Sequence, residues 1–261
     1  MNTPIDTALI QALDCAHFLH PFTDFKDLAS RAARVITQAY NICVCVWVSD
    51  GHKMLDAMSG LWCVNIGFGR KELAEAAYQQ MLLPCYNSFF QTTNVPAVQL
   101  AAKLAALAPH IGGRSFKHVF YSSSGSESND SNVRMVRRYW DLLGQPERKV
   151  IIGRVNGYHG SILAGTSLGG MTSMHAQGDL PIPGSANIGQ PYFYELGQPG
   201  ETSDEFGLRA AGWLEEKILA LGPDKVAAFI AEPVQGAGGV IMPPGSYCPK
   251  SSASSTSTAS C

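Results

Sequence analysis

The run Ser122-Ser123-Ser124-Gly125-Ser126-Glu127-Ser128-Asn129-Asp130 is where the sequence most plainly offers chemistry. Before it, His118-Val119-Phe120-Tyr121 is a short apolar run of the kind a buried strand uses. After it, Val133, Val136, Trp140 and Leu143 recur at +3, +4 and +3, the stripe of an amphipathic helix. Ser124 and Glu127 have the S-x-x-E spacing of a capping box, and Glu127 and Asp130 put negative charge in the first turn. Arg134, Arg137 and Arg138 follow where the helix dipole favours cations. The expected unit is strand, small-residue turn, helix. Such a start offers unpaired backbone N–H groups at a positive dipole end and suits a phosphate. Gly125 lets an anion approach the backbone, and the serine hydroxyls can donate to it. The same residues also suit an ordinary capped helix, and taken alone they leave both readings open.

Other polar groups stand after apolar runs. Tyr158-His159 lies in the loop after Lys149-Val150-Ile151-Ile152, as a stacking platform for an aromatic ligand or as a packed aromatic beside a satisfied histidine. Glu232 closes the apolar run Val226–Ala231, either structurally paired or facing a ligand. Trp62, in a glycine-punctuated segment, either walls a pocket or fills a core. Gly165-Thr166-Ser167-Leu168-Gly169 spells G-x-S-x-G, but no strand stands directly before it. No Asp or Glu separates Ser167 from His175, the last histidine, so a hydrolase triad in its usual order is not available. Neither Gly67-x-Gly69 nor Gly236-x-Gly238 completes a dinucleotide fingerprint.

The elements that must hold these groups alternate. Residues 1–40 read as helical with a break at Pro21, and Leu28, Ala32, Val35, Ile36 and Ala39 mark an apolar face. Ile42–Val48 and Lys53–Asp56 read as a hairpin about Ser49-Asp50-Gly51-His52. Lys71–Leu83, Val98–Leu107 and Glu205–Leu221 read as helices, and residues 170–204 as long irregular structure. Strands without polar alternation, separated by helices, indicate an α/β fold with a mostly parallel sheet covered on both faces. Ligands of such sheets collect at the carboxyl ends of the strands, where the loops after Tyr121, Ile152 and Ala231 would lie.

The chain has 261 residues, 46% of them hydrophobic, enough for a sizeable core. Its net charge of −2 gives no footprint for nucleic acid or an anionic membrane. No apolar run has the length of a membrane-spanning helix. Met1–Leu19 carries Asp6 and Asp14 and no basic start, so the expected compartment is the cytoplasm. The seven cysteines include Cys43-x-Cys45 but no CxxC, and no further ligands lie nearby, so no metal site is expected.

Together these segments resemble the class III aminotransferases, pyridoxal-phosphate enzymes of fold type I, and among them the ω-transaminases (amine–pyruvate aminotransferases). The resemblance rests on His20-Pro21-Phe22-Thr23-Asp24, Gly60-Leu61-Trp62-Cys63-Val64-Asn65, Ser124–Asp130, Asn156-Gly157-Tyr158-His159-Gly160-Ser161 and Glu232-Pro233-Val234-Gln235-Gly236-Ala237-Gly238-Gly239. It implies transfer of an amino group from an amine or amino acid to a keto acid such as pyruvate, with pyridoxal 5'-phosphate as cofactor. It implies that Gly125 and Ser126 bind the cofactor phosphate. Tyr158 would stack on the ring with His159 beside it, and Glu232 would lie under the cofactor. Trp62 would line the substrate pocket, and Phe22 would reach the pocket of a partner subunit, the family being homodimeric.

The same resemblance implies a lysine that carries the cofactor and an aspartate at the ring nitrogen, both beyond the family segments found here. Lys250 is the last lysine and does not sit in the family's lysine motif. The chain therefore reads as a truncated N-terminal portion, inactive alone. The competing reading is a non-catalytic, degenerate fragment or a half-protein that binds a partner. Departures cluster at Tyr40–Val48, and Asn132 stands where the family helix carries an apolar or small side chain. The expected division is residues 1–70 contributing to a small domain, 71–250 an incomplete cofactor-binding large domain, and 251–261 a tail. Ser251–Cys261 contains only Ser, Thr, Ala and Cys. In permitted codons, one inserted nucleotide after Lys250 turns this tail into an amphipathic helix followed by an apolar strand, so it reads as out-of-frame translation.

Overall fold

The structure, a computed structural model, describes residues 5–40, 45–83, 90–110 and 115–248, without the side chains of 45–48. The expectations for Cys43-x-Cys45 and for the tail after Lys250 lie outside the described residues. The chain forms two compact units, Met1–Leu107 and Ala108–Cys261.

In the first unit, α1 (Thr7–His17) is capped by Asp6, whose carboxylate accepts from Leu9 N at 3.0 Å. Helix α2 (Phe25–Arg31) is capped by Asp24, which accepts from Lys26 N and Asp27 N. The expected helix does not continue to Tyr40. It stops at Arg31, Ala32 takes a φ of 58°, and the chain extends into β1 (Ile36–Tyr40). The apolar residues after Arg31 suit a half-buried strand as well as a helix face, and the β-branched run Val35-Ile36-Thr37 tips the balance. Strand β1 pairs antiparallel with β2 (Cys45–Val48), which turns through Ser49–His52 into β3 (Lys53–Leu55) as the hairpin pattern requires. Asp50 closes that turn by accepting from His52 N at 3.0 Å.

A single turn, α3 (Ser59–Trp62), winds with positive φ at all four residues: 48° at Ser59, 59° at Gly60, 63° at Leu61 and 66° at Trp62. L-residues resist this hand. Asp56 holds the turn, accepting from Met58 N at 2.9 Å and Gly60 N at 2.7 Å. Helices α4 (Lys71–Met81) and α5 (Val95–Leu107) complete the unit. None of its described side chains is buried.

The second unit holds the core. Helix α6 (Gly125–Leu142) precedes β4 (Val150–Arg154). The short helices α7 (Leu163–Leu168) and α8 (Thr172–His175) lead to β5 (Ser185–Ile188), and α9 (Phe193–Leu196) and α10 (Ser203–Leu221) lead to β6 (Val226–Phe229). The sheet is parallel, in the order β5-β4-β6. Ile151 faces Val133 of α6 and Leu168 of α7. Its neighbour Ile152 joins Leu214 and Ile218 of α10, with Ile188 and Val226. Successive strand residues point to opposite faces, so both faces are covered, as the unalternated apolar pattern implies. Gly153 is required where α7 crosses β4, since a Cβ there would lie 2.1 Å from the Leu168 carbonyl oxygen.

Two expectations change here. The stretch His118–Tyr121 is not a strand, and Phe120 is 67% exposed. A strand needs a ladder partner, and no described neighbour supplies one. Residues 170–204, expected to be irregular, contain β5, whose Ser185-Ala186-Asn187-Ile188 has too little apolar character to stand out in sequence. Trp140 fastens α6 to the sheet through an indole N–H donated to the Ala227 carbonyl at 2.9 Å.

Candidate functional site

Helix α6 opens as the Ser124–Glu127 spacing predicts, with one difference. Ser124 Oγ accepts from Glu127 N at 3.1 Å, but the Glu127 carboxylate reaches Ser123 N, at 2.8 Å, instead of the cap residue's own N–H. The Gly125 and Ser126 N–H groups have no intrahelical carbonyl, as at any helix start. The space a Gly125 Cβ would occupy has no atom within 4 Å. Ser126 Oγ accepts from Ser161 N at 3.1 Å, which leaves its own proton free to donate.

The loop after β4 is sewn to this helix. Asn129 Nδ2 donates to the His159 carbonyl at 2.7 Å, and Asp130 accepts from Gly165 N at 3.3 Å. Gly160, at φ 128°, brings its backbone so close that a Cβ would lie 2.7 Å from Ser126 Oγ. The loop after β6 is sewn to the same β4 loop from the other side. The two carboxylate oxygens of Glu232 accept from Tyr158 N at 2.9 Å and Gly236 N at 3.0 Å. Gln235 Nε2 donates to the Val155 carbonyl at 2.9 Å.

Of the residues singled out in the sequence, Gly125, Ser126, Tyr158, His159 and Glu232 are thus joined through three loops at one end of the second unit. Phe22 (φ 50°) and Trp62 belong to the first unit, and both side chains are exposed. The G-x-S-x-G serine is fully buried, its Oγ donating to the Leu163 carbonyl at 2.7 Å and accepting from Ile182 N at 3.1 Å. It is a structural hydroxyl. Sequence reading gave no part to Arg154, which is 1% exposed and donates to the Glu232 carbonyl oxygen. Its one signal was a cation at the carboxyl end of an apolar strand. Among the described residues no group of three or more His, Cys, Asp or Glu could hold a metal ion, and no helix is long and apolar enough to cross a membrane.

His159 is buried, and its Nε2 has no hydrogen-bond partner among the described residues. Burial lowers its pKa. The Glu232 charge opposes this, and the Arg154 charge adds to it. Between the lowered value and the ordinary one near 6.5, the unfolded chain binds more protons than the folded chain. His159 therefore leaves stability intact above about pH 6.5 and erodes it as pH falls below that. Urea unfolding at pH 7.5 and 5.5 should show a drop in stability on acidification that shrinks in His159→Gln. An equal drop in both proteins would contradict it.

The pattern of loops agrees with a match to the family model Aminotransferase class-III over residues 29–256. The chain belongs to the class III aminotransferases. It is 56% identical over 255 residues to putrescine–pyruvate aminotransferase of Pseudomonas aeruginosa, covering 96% of this chain and 54% of that protein. The omega transaminase of Pseudomonas jessenii in complex with PMP superposes with a TM-score of 0.90 at 38% identity, over 95% of this chain and 54% of that one. An (S)-enantioselective omega-transaminase of Thermomicrobium roseum does so with a TM-score of 0.90 at 39% identity, over 97% and 55%. This aminotransferase chain therefore spans about half the length of the relatives it matches. Its α/β fold with a parallel sheet is theirs over that half.

Pyridoxal phosphate is the cofactor this family implies, and the residues present fit its phosphate. They offer two N–H groups at a helix start, a serine hydroxyl with its proton unused, and open space above Gly125.

Proposed function

We propose that this chain supplies the phosphate and ring side of a pyridoxal-phosphate site in an enzyme that moves an amino group from an amine or amino acid to a keto acid such as pyruvate. The observation that carries the reading is the start of α6, where the Gly125 and Ser126 N–H groups have no intrahelical carbonyl, the Ser126 hydroxyl accepts from Ser161 N and keeps its proton to donate, and a Cβ built on Gly125 would meet no atom within 4 Å. These groups would hold the phosphate, and the helix dipole would favour its charge. Tyr158 would support the ring face, with His159 beside it as a neutral imidazole. Trp62 and Phe22 would shape the substrate pocket, and a homodimer would complete each site. When bound, the cofactor supplies an electron sink that stabilises the charge left as the amino-bearing carbon loses its proton. That proton must pass to a lysine and the ring nitrogen must be held by an aspartate. The family resemblance assigns both to the half of the relatives that this chain does not cover.

The chain assayed alone is therefore expected to bind pyridoxal phosphate and to lack turnover. Absorbance titration should saturate and be reversed by inorganic phosphate, and an amine with pyruvate should give no alanine above background. Steady turnover would overturn the assignment of the lysine and aspartate elsewhere. Absence of any cofactor binding would overturn the site.

A further inference from the structure

We propose that Glu232 is a positioning residue, a strut that fixes the Tyr158 loop at the ring end of the site. This rests on the pyridoxal-phosphate reading above. Both ends of its carboxylate are taken by backbone. One oxygen accepts from Tyr158 N at 2.9 Å and the other from Gly236 N at 3.0 Å, across two loops 74 residues apart in sequence. A carboxylate that accepts a charge-assisted bond from a backbone N–H on each oxygen ties the two loops together.

The strut is anchored at its own backbone. The Glu232 carbonyl oxygen accepts from Arg154, which is almost wholly buried, with its guanidinium carbon 5.8 Å from the Tyr247 ring centroid. Two further ties run in parallel. Gln235 Nε2 reaches the Val155 carbonyl at 2.9 Å. Gly238 lies so close that a Cβ there would stand 2.3 Å from the Asn156 carbonyl oxygen. The segments 154–158 and 232–238 are thus tied at several points, with Glu232 the sole described side chain that reaches the backbone of Tyr158. Further along the same loop, His159 and Ser161 are tied to α6 instead, through Asn129 and Ser126. The tie at Tyr158 and the ties at His159 and Ser161 are thus made by different side chains, and their effects can be measured apart.

The test compares wild type, Glu232→Ala and Glu232→Gln, all in the chain as it stands. Amide hydrogen exchange at Tyr158 and Gly236 is read without ligand, and Kd is measured for pyridoxal phosphate and for inorganic phosphate. Loss of one charge-assisted bond at each amide should raise exchange in Glu232→Ala roughly tenfold or more at both positions. Its Kd for pyridoxal phosphate should rise about tenfold, while that for inorganic phosphate stays within about twofold. Glu232→Gln, isosteric and keeping one acceptor, should protect one of the two amides and recover part of the affinity. If Glu232→Ala unfolds, Glu232→Gln decides alone. The proposal is overturned if Tyr158 exchange is unchanged, or if both ligands weaken together. A wild-type chain that binds neither ligand refutes the cofactor reading, and the exchange data then still judge the strut.

Discussion

Gly160→Ala is expected to weaken pyridoxal-phosphate binding by at least about tenfold, and to lower stability by roughly 1–3 kcal/mol. Two effects combine at this position. Its φ of 128° is one that side chains with a Cβ rarely adopt. The added methyl would also stand 2.7 Å from Ser126 Oγ and 3.0 Å from Ser126 Cα. The Ser126 backbone belongs to the first turn of α6 and cannot retreat without opening the helix start. The 159–161 loop must give instead, and the bond from Ser161 N to Ser126 Oγ would be lost with it. The hydroxyl proposed to bind the phosphate then has neither its orientation nor its neighbour. Titration with pyridoxal phosphate and urea unfolding together check this. Binding within twofold of wild type would mean that the close approach of Gly160 to Ser126 does not shape the site.

Phe206→Ala should lower stability by about 3–5 kcal/mol, the range for removing a large buried aromatic. Phe206 has no exposed surface and lies on the face of α10 that also buries Ala210 and Ala211. Its ring stands 5.6 Å from that of Phe193 and 6.0 Å from that of Trp213. The Arg209 guanidinium carbon lies 5.1 Å from its centroid. Small neighbours such as Ala210 and Ala211 cannot close the gap, so a cavity should persist. Leu219→Ala on the exposed side of α10, where Leu219 is 60% exposed, should change stability by less than about 1 kcal/mol. Equal effects of the two substitutions in urea unfolding would refute this placement of the core.

What the sequence made legible, and what it hid, follows from how far each element depends on its neighbours. The start of α6 was readable because a cap and its first turn are local chemistry, and Ser124 does bond Glu127 N. The hairpin about Asp50-Gly51 and the strands β4 and β6 were readable for similar reasons: a turn with its own residues, and apolar runs too short for helices. His118–Tyr121 misled because an apolar run permits a strand, while strand identity needs a ladder partner, and here the run is not buried either. Residues 32–40 misled because their spacing satisfies a helical stripe and a half-buried strand alike. Strand β5 was hidden by its mixed composition.

At the site, the helix start was legible from physical chemistry. Tyr158, His159 and Glu232 were picked out residue by residue with a structural and a ligand-facing reading left open, and only the resemblance chose between them. Arg154 and Asn129 were given no role, because what they do depends on contacts to the Glu232 and His159 carbonyls, across 78 and 30 residues. Sequence spacing carries no trace of such pairings.

The central claim is that the start of α6 grips a phosphate on a ring-bearing cofactor. It is tested most directly by titrating the purified chain with pyridoxal 5'-phosphate and, separately, with pyridoxal, which lacks the phosphate. The account predicts saturable binding of pyridoxal phosphate and affinity for pyridoxal weaker by a factor of about 100 or more, since several charge-assisted hydrogen bonds are lost. Ser126→Ala should bring the two affinities closer together by weakening only the phosphate-bearing ligand. Equal affinity for both ligands, or no binding of either, would contradict it.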